Sequence, residues 1–293
     1  MTLSSSDGRK RVVVESITPQ VDGGRFPAKR TVGDQVAVEA DVFADGHDAV
    51  AASLLANRVG TKEWTEIRMR PLVNDRWTAA FRVSELGYYR FKIEGWIDRF
   101  ETWRRDLLKR IQADADTGVD YQIGADIVDE TAARAAGADA GWLRDRAKVL
   151  RSQEEPKDLR THATDPMLHE LVLRYPDKRH ATESDRELEI AVEPARARFS
   201  SWYEFFPRST TVAAGAADAG AHGTFADCEK RLDYVAAMGF NVVYLPPIHP
   251  IGATFRKGRN NAPDAAPGDC GSPWAIGSLD GGHKAIHKEL GAI

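Results

Sequence analysis

Residues 224–250 read TFADCEKRLDYVAAMGFNVVYLPPIHP, a helix pattern that passes through Gly239 into a nearly continuous apolar strand. Thr224 is placed to cap the helix, and Phe225, Cys228, Leu232, Val235 and Ala236 recur at the spacing of one helical face. A strand that is apolar on both sides suits a parallel sheet covered on both faces. Just upstream, FSSWYEFFPRS (199–209) reads as another aromatic, apolar strand. Strand, helix and strand in that order make a parallel βαβ unit, the repeating piece of a doubly wound sheet or a (β/α)8 barrel.

Working outward toward the N-terminus, the pattern changes twice. RVVVESI, QVAVEADVFA, EWTEIRMRP, RWTAAFRV and GYYRFKIEGWI are short runs rich in β-branched and aromatic residues, separated by turn formers such as VDGG, VGD and VNDR. Tyr89, Phe91 and Ile93 alternate with Tyr88, Arg90, Lys92 and Glu94, as in a strand with one buried side. Strands of this length and spacing predict a β-sandwich. FETWRRDLLKRI (100–111) fits either a helix or a strand. From about residue 124 to 186, Ala, Asp, Glu, Arg and Leu replace the β-branched runs and predict a helical block. Its clearest members are AGWLRDRAKVLRSQ, with Leu143, Ala147 and Leu150 on one side, and TDPMLHELVLRYP, capped at Thr164 or Asp165 and stopped by Pro176. ELEIAVE (187–193) resembles the earlier strands and is placed to rejoin them, which would make the helices an insertion.

The expected organisation is therefore multidomain β plus α plus α/β. It comprises an N-terminal β-sandwich (11–123), an inserted helical bundle (124–186), a returning strand of the sandwich (187–197) and a parallel α/β part (198–293), either the opening of a doubly wound sheet or the truncated start of a (β/α)8 barrel.

Composition narrows the function classes. Of 293 residues, 42% are hydrophobic and 29% charged, an ordinary globular balance. Lys and Arg number 40 against 44 Asp and Glu, so no basic field exists to gather nucleic acid or an acidic membrane surface. No apolar run is long enough for a membrane span, and the polar start MTLSSSDGRKR carries no leader-like core. Two cysteines, Cys228 and Cys270, read as free thiols, and the expected location is the cytoplasm.

After Pro250 the chain becomes Gly-, Pro- and Asn-rich, and a long loop after a parallel strand is where such folds bind ligands. In RKGRNN, Arg256, Lys257 and Arg259 supply positive charge while Asn260 and Asn261 supply amides, a set suited to a sugar or a phosphate and equally compatible with a solvated basic turn. Its glycine spacing is not that of a nucleotide P-loop. His283 and His287 stand four apart, so on a helix they could share a metal. Lys284 occupies the position where a zinc-protease helix has Glu, and with no third ligand evident no metal or other cofactor is expected. His249 sits at the strand end, where a ligand or a structural hydrogen bond would suit it. Trp202, Tyr203 and Glu204 could stack on a sugar or fill a core, and Tyr88 and Trp96 could do the same on the sandwich.

GFNVVYLPPIHPIG resembles the second barrel strand of the α-amylase superfamily. RFSSWYEFFPRS, PPIHPIGATFRKGRNN and SPWAIGSLDGGHKAIHKELG resemble, more specifically, the bacterial α-1,4-glucan:maltose-1-phosphate maltosyltransferase family. RVVVESITPQVDGGRFPAKRTVGD and DRFETWRRDLLKR are similar to that family's N-terminal sandwich and its exit. The resemblance implies retaining transfer of maltosyl from maltose-1-phosphate to the non-reducing end of an α-1,4-glucan in glycogen or α-glucan synthesis. It implies an aspartate nucleophile, a glutamate acid/base and a stabilising aspartate, and a homodimer built through sandwich and bundle. It assigns Lys257 to the donor phosphate, with Arg256, Asn260, Asn261 and His283 as neighbours. A (β/α)8 barrel takes about 250 residues. Residues 199–293 supply 95, so the three carboxylates are expected beyond residue 293 and the chain is expected to be inactive alone. Two other readings are a noncatalytic dimerisation or glucan-binding module, and a fragment of another α-amylase superfamily enzyme.

Overall fold

The computed structural model describes residues 10–152, 154–211 and 222–291. Mixed sheets and six α-helices, counted among those residues, build a multidomain β plus α chain of two compact units, Met1–Pro194 and Ala195–Ile293.

In the first unit, β1 (Val12–Thr18), β3 (Gln35–Ala44), β7 (Arg76–Arg82) and β6 (Arg70–Pro71) form one sheet in the order β1-β3-β7-β6. A second sheet has the order β2-β10-β8-β4-β5, from β2 (Ala28–Thr31), β10 (Leu188–Glu193), β8 (Gly87–Ile97), β4 (Val50–Arg58) and β5 (Thr65–Arg68). The short β9 (Thr182–Glu183) pairs with β8. Alternation decides which sides face inward. Val36, Val38, Ala40 and Val42 of β3 meet Tyr89, Phe91 and Ile93 of β8, with Leu54, Ile190 and Val192, in a single core. The two layers touch closely at Gly95, where a Cβ would come within 2.8 Å of both Val12 and Val42.

The strands end at Ile97, and the stretch left open between helix and strand is α1 (Arg99–Gln112). Asp98 caps it by accepting the Glu101 N–H at 2.9 Å. Phe100, Trp103 and Leu107 face inward, a helical spacing that the local alternation 100-102-104 concealed. Helices follow as α2 (Gly118–Arg134), α3 (Gly137–Leu150), α4 (Pro156–Ala163) and α5 (Pro166–Arg174). Phe100 and Trp103 share a second core with Tyr121, Val128, Leu143, Leu150, Leu159 and Leu168. The helical block thus begins at Arg99 and not at 124. The boundary expected at 123 falls inside α2, because Asp98 and Thr117 are the real caps. Leu143, Ala147 and Leu150 of α3 and Leu168, Leu171 and Val172 of α5 are buried as their spacing predicts. The chain then returns as β10, antiparallel to β8 and parallel to β2. Trp96 is 2% exposed, packed with Ala51 and Ala181, so it forms no sugar platform.

The second unit carries a parallel pair, β11 (Trp202–Glu204) and β12 (Val242–Tyr244), in register Tyr203 to Val243, joined through α6 (Phe225–Ala237). Both strands are shorter than their apolar runs, because Pro207 and the Pro246-Pro247 pair lack the N–H that further pairing needs. Thr224 and Asp227 cap α6 reciprocally. Only Cys228 and Val235 of its expected stripe are buried. Leu232 is exposed.

Candidate functional site

β12 ends at Tyr244, and from there the backbone is fixed by cross-loop hydrogen bonds. Gly252 N–H donates to Ala275 O at 2.8 Å, and His287 N–H donates to Ile248 O at 2.8 Å. These bonds bring the IHPIG, SPWAIG and HKEL stretches together. Gly252 has to be glycine, since a Cβ there would lie 2.5 Å from Ile276 O. Around this scaffold Phe206, Pro207, Arg208, His222, Pro246, Pro247, His249, Ile251 and His287 line a concave pocket on the C-terminal side of the two strands.

No residue of RKGRNN is among those that line that pocket. Gly258 N–H donates to Ala262 O at 2.9 Å, and a short 3-10 turn spans Arg259–Asn261. Asn260 (φ 55°) and Asn261 (φ 63°) both take the left-handed conformation that Asn tolerates better than most side chains. Arg256 is half-buried and donates to Cys270 O at 2.7 Å, so it braces the loop. Arg259 is almost fully exposed and lies 3.8 Å from Asp269. Lys257 is exposed, with no hydrogen bond or ion pair among the described residues, which leaves its ammonium available to a ligand. Asn260 and Asn261 are exposed as well.

GGHKAIHKEL is not a helix, so His283 and His287 share no helical face. Gly281, at φ 133°, and a bridge between Ser278 and Gly281 turn the chain there instead. The exposed His283 packs edge-on against His249, ring centroids 5.9 Å apart. His249 is buried and its Nδ1 lies 3.0 Å from Pro250 O, a structural hydrogen bond at the pocket wall. His287 instead stacks on His222, centroids 5.3 Å apart and planes 6° from parallel. His222, His287 and Glu289 have ligand atoms within 4.8 Å of one another. His222 drew no attention in the sequence, because nothing in the spacing of residues 222 and 287 announces that they meet.

Trp202 and Glu204 of β11 are exposed, and Tyr203 packs edge-on against Phe240 at 5.1 Å. Phe206 packs against Trp274 at 5.8 Å, so the turn that follows β11 and the SPWAIG stretch share an aromatic contact. Cys228 is buried and Cys270 exposed, and both are free. No helix among the described residues is long and apolar enough to cross a membrane.

Residues 10–194 match the family profile described as α-1,4-glucan:maltose-1-phosphate maltosyltransferase, domain N/S. The chain belongs to the α-1,4-glucan:maltose-1-phosphate maltosyltransferase family. Curated maltosyltransferases of that name extend the similarity through the second unit. The Chlorobaculum tepidum relative is 47% identical over 287 residues, covering 98% of this chain and 42% of the relative. That of Methylacidiphilum infernorum is 47% identical over 288 residues, with the same two coverages. The Pseudomonas aeruginosa maltosyltransferase is 41% identical over 284 residues, covering 96% of this chain and 41% of its own length. The chain thus spans about two fifths of the curated maltosyltransferases it matches.

Proposed function

We propose that this chain contributes the N-terminal β-sandwich, the inserted helical bundle and the start of the (β/α)8 barrel to an enzyme that moves maltosyl from maltose-1-phosphate to the non-reducing end of an α-1,4-glucan. The observation that carries the reading is similarity to maltosyltransferases over nearly the whole chain, the loop after β12 included. Lys257 is the donor-phosphate contact, an exposed ammonium without a competing carboxylate, on the loop that follows a parallel strand. Asn260, Asn261 and His283 offer hydrogen bonds to sugar hydroxyls nearby. Arg256 serves by shaping the loop, since its guanidinium already holds Cys270 O.

Retaining transfer needs a nucleophilic carboxylate and an acid/base facing each other across the scissile bond. Among the described residues no such pair lines the pocket beyond β11 and β12. The nucleophile, acid/base and stabiliser belong in this reading to the part of the relatives that the chain does not span, and the 293 residues alone are inactive. Phosphate release from maltose-1-phosphate by the purified chain, above a protein-free blank, overturns that statement. Lys257→Ala weakens maltose-1-phosphate binding by about 10-fold or more, the scale of one charge-assisted hydrogen bond. Unchanged binding by calorimetry sinks the assignment. In the homodimer that accompanies this reading, the exposed Val119 and Ile123 of α2 and Met167 and Leu173 of α5 are candidates for the contact. A monomer mass by light scattering at micromolar concentration removes it.

A further inference from the structure

We infer that His222, His287 and Glu289 form a binding site for a single zinc ion, with a fourth position open to water or to an anionic oxygen. The donor set is two imidazoles and a carboxylate, a combination that zinc accepts in sites with three protein ligands. Their ligand atoms lie within 4.8 Å of one another. Tetrahedral donors at about 2.0–2.1 Å from a metal sit roughly 3.3 Å apart, so closure asks for side-chain rotations of the order of an ångström.

Three features prepare the imidazoles. His222 Nδ1 lies 2.8 Å from Gly223 O, to which it donates, leaving Nε2 as the nitrogen with the free lone pair. Gly223 is itself anchored: its N–H donates to Arg208 O at 2.8 Å, and a Cβ on it would strike Pro207 O at 2.4 Å. The Nδ1 of His287 is buried and has no hydrogen-bond partner, a cost that a metal bond would remove. Its backbone is tied to Ile248 O, and Arg208 and Arg256 lie near its ring. Glu289 follows two residues later on the same 3-10 turn, its Oε2 3.9 Å from His287 Nδ1, and supplies the negative charge. Arg208 and Arg256 oppose a dication, which limits affinity without removing any donor.

The test uses the 293-residue chain, free of any affinity tag, titrated with Co2+ and then Zn2+ at neutral pH. One equivalent of Co2+ should develop the visible bands of a four-coordinate site, and Zn2+ should abolish them. His222→Gln, His287→Gln and Glu289→Gln should each weaken Zn2+ binding by at least about 10-fold, since losing a ligand costs no less than losing its supporting partner. Glu289 is exposed, so its variant keeps the fold even where a histidine variant does not. Absence of binding, or binding that survives any one substitution undiminished, overturns the site.

Discussion

At the scale of single residues, the tightest constraint is Gly124 in α2. A Cβ there would lie 2.1 Å from the Trp103 ring, whose Nε1 donates to Asp120 O at 2.7 Å and cannot swing away without losing that bond. Gly124→Ala is therefore expected to cost about 1–3 kcal/mol by overpacking. Urea unfolding followed by circular dichroism reads it, and an unchanged midpoint contradicts the packing argument. Asp116 sets a pH dependence. Arg160 donates to its carboxylate at 2.5 and 3.0 Å and Tyr121 Oη at 2.5 Å, and these bonds hold the pKa at about 2. The folded pKa lies below the unfolded value of about 3.9, so this stabilisation is complete above that pH and disappears as pH falls toward 2. Asp116→Asn should destabilise by about 1–2 kcal/mol at pH ~7 and flatten the acid limb between about 4 and 2. Parallel stability-pH curves for the two proteins would contradict it. Neither contact was legible beforehand, because each joins residues whose pairing depends on how helices cross.

At the scale of elements, capping was readable where burial was not. Thr224 Oγ1 lies 2.8 Å from the Asp227 carboxylate and accepts the Asp227 N–H, as the sequence of α6 led one to expect. Thr224→Ala should cost about 1 kcal/mol of helix stability, seen as faster amide exchange in the first turn of α6. Protection equal to the parent's would contradict that. The same helix shows the limit of periodicity. Leu232 sits on the predicted stripe and is nonetheless exposed, because a stripe becomes a core only where another element covers it. Residues 283–287 show the opposite failure: a four-residue histidine spacing suggests a helix face, yet glycines at 281 and 282 and the bond from His287 N–H to Ile248 O impose a loop.

At the scale of the whole molecule, the join between the units is an exposed turn. Ala195–Ala197 form a single 3-10 turn with no buried residue, and Phe199 is 77% exposed. Trypsin should cut first near Arg196 and Arg198 and release a stable fragment that starts near residue 10 and ends there, identified by mass spectrometry. First cleavage inside α2 or β8 would contradict the division. The sequence by itself determined the strand-rich start, the helical block, the βαβ unit and the family, because alternation, caps, proline stops and long motifs are local. Tertiary structure alone decided that α1 joins the helical core, that Trp96 is buried, that Arg256 braces its loop while Lys257 stays exposed, and that His287 meets His222 instead of His283. Those outcomes depend on which surfaces packing brings together across tens of residues, and no local pattern carries that information.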